Sequence, residues 1–139
     1  MNNFGKIITF GAVFALLTAL LPDTASAFSG RNGTKVAQVN KAVFEVVTRS
    51  SGSGPEFWCG AADYARRALG AGWKTEIYIA RGRGVSVTTG RRSSVQFTIT
   101  PDAAGVTPIP PTLSLNSLKA GDHMSVQKAN NYCIRSIDG

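Results

Sequence analysis

Two cysteines, Cys59 and Cys133, set the strongest limit on how this chain can fold. What they do depends on the compartment, and the N-terminus indicates one. The chain opens MNNFGKIITFGAVFALLTALLPDTASA. Lys6 gives a positive start, and Ile7 to Leu21 run without a charge. Pro22 and Asp23 break the run, and Ala25-Ser26-Ala27 has the small-x-small pattern of a cleavage site. Together these parts make a secretory signal peptide. The apolar run falls short of the ~20 residues that span a bilayer, and no basic cluster follows it. The expectation is a cleaved leader over residues 1–27 and a secreted or periplasmic product without a transmembrane segment. In an oxidising compartment two cysteines read as a disulfide, and only one pairing is available, Cys59 with Cys133. Closing so long a loop is worth about 4 kcal/mol in the chain-entropy model. That is a large share of the ~5–15 kcal/mol that holds a domain folded.

Without the leader about 110 residues remain, the length of one domain with a modest core. Residues 28–42 read as a flexible or irregular lead-in. FSGRNGTK is polar, and residues 36–42 fit either a short helix or extended chain. Asn32-Gly33-Thr34 matches the glycosylation acceptor pattern, which has meaning only in a eukaryotic secretory pathway. The folded domain is expected over 43–139. VFEVVTR (43–49) is short and rich in β-branched and aromatic residues, as a strand is. Ser53-Gly54-Pro55-Glu56 has the spacing of a capping box with proline in the opening turn, and Gly70 suits the far end of the helix. At 100° per residue Phe57, Trp58, Ala61, Ala62, Tyr64, Ala65, Ala68 and Leu69 form one apolar arc. Glu56, Asp63, Arg66 and Arg67 fall largely outside that arc, and Cys59 lies just past its edge.

TEIYIAR (75–81) and SVQFTIT (94–100) alternate apolar and polar residues, the pattern of half-buried strands. The segment between them reads as a long hairpin tip, with room for a short strand at 85–88. Pro101, Pro108, Pro110 and Pro111 exclude regular structure nearby. A last strand fits 123–127, followed by the polar tail NNYCIRSIDG. The order predicts an α+β fold. One amphipathic helix packs on a mainly antiparallel sheet of roughly three to five strands, stapled by the disulfide.

Net charge is +7. Lys6 and Asp23 cancel, so the mature chain keeps that charge. A basic domain attracts anions, and secretion argues against nucleic acid as the partner. The remaining anionic partners are lipid phosphates, acidic polysaccharides, peptidoglycan and acidic proteins. The feature that best fits such a partner is RGRGVSVTTGRR (81–92). Its Arg81, Arg83, Arg91 and Arg92 have no acidic neighbour between Glu76 and Asp102. A closed hairpin would gather four guanidinium groups, each able to grip a carboxylate or phosphate bidentately. The small residues between them would admit a ligand.

Other chemistries find little support. One histidine and two distant cysteines supply no zinc-spaced pair, so no metal is expected. Glu45, Glu56, Asp63, Glu76 and Asp102 are the carboxylates available for acid–base work, each with a simpler role as a cap or surface charge. GRG at 82–84 has neither the lysine nor the glycine spacing of a phosphate or dinucleotide loop, so no cofactor is expected.

Two resemblances bear on function. SLKAGDHMSV (117–126 with its flanks) resembles the Gly-Asp segment that follows the catalytic cysteine helix in secreted peptidoglycan hydrolases of the NlpC/P60 and CHAP type. The resemblance implies Cys59 as nucleophile and a base histidine on a later strand, a role for which His123 is the one candidate here. The chain departs from that pattern, because its only histidine lies inside the Gly-Asp segment and none follows it. FWCGAADYARRALGAGW and IYIARGRGVSVTTGRRSSVQFTITP resemble small secreted proteins of alphaproteobacteria with no assigned activity. That resemblance implies a location and no site residues. The reading favoured by the residues is a non-enzymatic binding protein for an anionic envelope component. A Cys59–His123 thiol hydrolase is the first alternative, and a structural or assembly protein of the envelope is the second.

Overall fold

The computed structural model describes residues 27–135. The leader up to Ser26 and the last four residues lie outside the described part. Six strands form one antiparallel sheet: β1 (Phe28–Ser29), β2 (Lys35–Gln38), β3 (Phe44–Val47), β4 (Glu76–Gly84), β5 (Ser94–Thr98) and β6 (His123–Ser125). Their spatial order is β1-β2-β3-β5-β4-β6. Helix α1 (Gly54–Arg67) connects β3 to β4, a one-turn helix α2 (Pro101–Ala104) follows β5, and α3 (Val126–Arg135) follows β6. The α+β expectation holds, with one more strand and two more helices than predicted.

Alternation sorts the sheet into two faces. Val36, Phe44, Val46, Val95, Phe97, Ile77, Ile79 and Met124 point inward and are buried. Helix α1 covers this face through Phe57, Trp58, Ala61, Ala62 and Ala65. Trp58 meets Phe97 edge-on at 5.2 Å between ring centres, and Tyr64 packs against Phe44 at 4.7 Å. The alanines at the helix centre let it sit close to the sheet. The far end of the expected arc is wrong, since Ala68 and Leu69 are exposed.

The ends of α1 are built differently from the capping-box expectation. Ser53 stands at the N-cap but makes no side-chain cap hydrogen bond. Asn116, from the distant loop, accepts the Gly54 N–H at 2.9 Å instead. Gly54 is needed there because a Cβ would collide with the Leu115 carbonyl. At the other end Gly70 (φ 68°) takes the left-handed turn that stops the helix, as expected.

Three further expectations need correction. Residues 28–38 are part of the sheet as β1 and β2, not a loose lead-in. Their polarity reflects an edge position, where side chains face water, and Asp63 locks the turn between them. Asp63 is buried, although the helical wheel placed it outside. It accepts the Arg31 N–H at 2.8 Å, Arg31 Nε at 3.1 Å and Arg67 Nη1 at 2.9 Å. The C-terminal stretch is helical rather than a fraying tail. Val126, Ala129 and Cys133 recur at helical spacing and are buried, and α3 packs against α1. The Cys59–Cys133 disulfide joins the two helices, with Cα atoms 4.9 Å apart. No helix among the described residues is long and apolar enough to cross a membrane.

Candidate functional site

The pairing register gathers cations at one end of the sheet. Lys35 pairs with Val47, Val47 with Ser94, and Ser94 with Gly84. Lys35 therefore begins a row that crosses four strands. Arg49 lies two residues beyond it on the β3 side, Arg83 one residue before Gly84, and Arg91 and Arg92 just ahead of β5. Antiparallel pairing brings these termini to the same edge.

Arg49, Arg83, Arg91 and Arg92 line a cleft of about 390 Å³, interleaved with the hydroxyl residues Thr48, Ser50, Ser51 and Ser93. No carboxylate of the described residues lines it. A second hollow of about 330 Å³ continues past Arg91 and Arg49 to Lys35. Glu56 lines a neighbouring depression of about 170 Å³ that shares Thr48, Arg49 and Ser50 with the cleft. A larger hollow of about 560 Å³ lies by Phe28, Tyr64 and Arg67, next to Ala27 where the described residues begin. Its lining has a single cation, Arg67, with Ser29, Gln38 and Tyr64 as its other polar residues.

The four arginines nominated from the sequence have different fates. Arg81 is turned back into the fold. Its guanidinium donates to the Val85 carbonyl at 2.7 Å, to Ser94 Oγ at 2.6 Å and to the Gly82 carbonyl at 3.2 Å. Two register shifts along β4, on either side of Arg81, re-aim this strand end. Arg83 lines the cleft but also clamps its wall, donating to the carbonyls of Ser51 and of Gly52 (2.9 Å) and lying 5.1 Å over the Phe57 ring. The Arg91 and Arg92 side chains are exposed and meet no carboxylate among the described residues. Arg49 is in the same condition, and sequence reasoning did not nominate it. Its membership follows from β3 lying next to β5, and strand order is not written in local pattern.

The loop that carries Arg91 and Arg92 is held by a buried acid. Glu45 points to the outer face of β3 and is fully buried. One carboxylate oxygen accepts the hydroxyls of Ser86 and Thr88 and the Thr88 N–H at 2.9 Å, and the other accepts the Val87 N–H at 3.2 Å. Ser86 N–H also closes the loop onto the Arg91 carbonyl at 2.6 Å. Residues 85–88 are thus a turn wrapped on a carboxylate, not the short strand expected there. The surface role expected of Glu45 is also corrected. Burial pushes its carboxyl up, but the hydrogen bonds from Ser86, Thr88 and Val87 outweigh burial and hold it below its ordinary value. The small residues expected to admit a ligand instead bind the protein's own Glu45.

The pair required by the hydrolase alternative is not assembled. The Cys59 sulfur is bonded to Cys133 and fully buried on the helical side. His123 pairs with Tyr78 on the outer face, where its Nδ1 lies 3.1 Å from Glu76 Oε2. The sheet runs between them. Among the described residues no group of three or more His, Cys, Asp or Glu is placed to hold a metal ion. No family model, curated protein or solved structure matches the chain.

Proposed function

We propose that this is a secreted or periplasmic, non-enzymatic binding protein for an anionic envelope component, which it holds at the end of its sheet. The observation that carries the reading is the cleft shared by Arg49, Arg83, Arg91 and Arg92, with serine hydroxyls between them and no carboxylate among the described residues that line it. Arginine forks and hydroxyl donors together suit phosphate, sulfate or carboxylate oxygens. The +7 charge adds long-range attraction to the same kind of partner. The leader pattern supports the location. The disulfide supports a rigid scaffold without a free thiol nucleophile at Cys59.

Binding to a soluble polyanion, dextran sulfate, tests the reading. Affinity is expected to fall steeply with added salt. It should drop at least tenfold when Arg91 and Arg92 are both replaced by alanine, an estimate that assigns about 1 kcal/mol to each charge-assisted contact. Arg81→Ala serves as the comparison, because that guanidinium does not line the cleft. Equal losses per charge removed would mean that net charge, not the cleft, governs binding.

A further inference from the structure

The basic edge carries a second surface property that a soluble polyanion would not need. Val85 and Val87 are 56% and 65% exposed, on the same loop as Arg91 and Arg92. Ser86, between them, turns inward to Glu45 and is buried, while both valines face water. The loop cannot fold them away. Its Ser86 and Thr88 hydroxyls and its Val87 and Thr88 N–H groups are tied to Glu45, and Arg81 holds the Val85 carbonyl. The fold therefore fixes two apolar side chains in water beside guanidinium groups that meet no carboxylate among the described residues. Apolar side chains next to a cluster of arginines suit an anionic bilayer surface, where apolar groups enter the acyl boundary and cations meet headgroup phosphates.

We propose that the 85–92 loop docks this protein onto an anionic lipid surface. Val85 and Val87 enter the interface, while Arg91, Arg92 and Arg49 face the phosphates. The proposal rests on the anion-binding reading of the cleft and narrows its ligand to lipid. An acidic polysaccharide would use the arginines and gain nothing from the valines.

The test measures co-sedimentation of the protein with phosphatidylglycerol–phosphatidylcholine vesicles and with neutral phosphatidylcholine vesicles. Dextran sulfate binding is measured in parallel. The variant is Val85→Ser/Val87→Ser, whose fold is checked by circular dichroism and thermal unfolding. The expected result is binding to anionic but not neutral vesicles. The double serine variant should weaken vesicle binding about tenfold or more, given the apolar area two valines bury in a bilayer interface, and leave dextran sulfate binding unchanged. Arg91→Ala/Arg92→Ala should weaken both. Vesicle binding unchanged by the serines would overturn the docking proposal. So would a wild-type protein that binds dextran sulfate and ignores vesicles, which would point to a polysaccharide and leave the cleft reading intact. If neither matrix binds, the cleft reading itself falls.

Discussion

Replacing Glu45 by glutamine keeps the volume and removes the charge, so it isolates what the carboxylate does. In the native loop one oxygen receives three donors, from Ser86 Oγ, Thr88 Oγ1 and the Thr88 N–H, and the other receives the Val87 N–H. A glutamine has one acceptor oxygen. With that oxygen on the three-donor side, its NH₂ faces the Val87 N–H, donor against donor. One bond is lost, a part-buried N–H is left without a partner, and three charge-assisted bonds become neutral. The orphaned N–H costs ~1–3 kcal/mol and the weakened bonds add to it, while the easier burial of a neutral amide offsets part. The net expectation is a loss of about 2–3 kcal/mol at pH 7, read by urea unfolding with the disulfide intact. The difference should depend on pH. The Glu45 carboxyl sits below its ordinary value in the folded state. Its contribution is therefore complete above the unfolded glutamate pKa of about 4.3 and is lost as pH falls through the lower folded value. The wild type and Glu45→Gln curves should converge below that range. A loss under about 0.5 kcal/mol at pH 7 would refute the account of the loop, since even one orphaned donor costs more. A gap that stays constant down to pH 3 would refute the role of the charge.

Other perturbations probe the rest of the scaffold. Cys59→Ser/Cys133→Ser should lower stability by about 4 kcal/mol by equilibrium unfolding, the entropy of a loop with a sequence separation of 74. A loss below about 1 kcal/mol would mean that α1 and α3 pack as well without the bond. Gly60→Ala adds a Cβ 2.6 Å from Thr34 Oγ1 and 2.7 Å from Val46 Cγ1. Overpacking of ~1–3 kcal/mol should exceed the helix-propensity gain of about 1 kcal/mol, so thermal unfolding should show net destabilisation. Asp63→Ala removes the acceptor for Arg31 and Arg67 and should cost about 2 kcal/mol, with amide exchange faster across β1 and β2 than in β5. Uniform exchange would show that the acid does not tie the edge strands down.

Local pattern made part of this fold legible. The period-2 runs at 76–79 and 94–98 are strands, and the alanine-rich arc from Phe57 to Ala65 is a buried helix face. The spacing of Val126, Ala129 and Cys133 was a visible helical signal, but the polar residues around it read as tail. Strand β2, next to the sheet edge, escaped for a similar reason. Lys35–Gln38 has one inward residue, Val36, and solvent-facing neighbours that look like loop.

The candidate site divides along the same line. The run of arginines from 81 to 92 and the excess positive charge are properties of the chain itself, as is the single pairing open to two cysteines. Which arginines share a cleft is not. Arg49 joins Arg91 and Arg92 because β3 lies beside β5, a long-range pairing that no local window contains. Arg81 leaves the group because shifts in register along β4 turn it toward Ser94. Glu45 and the loop that grips it are 41 residues apart, from Glu45 to Ser86. Local periodicity reports which side of an element is apolar, and charge reports what the surface attracts. Partner choice among buried polar groups is settled only when strand order and register place donors against acceptors, because burial is what makes each unmatched group costly.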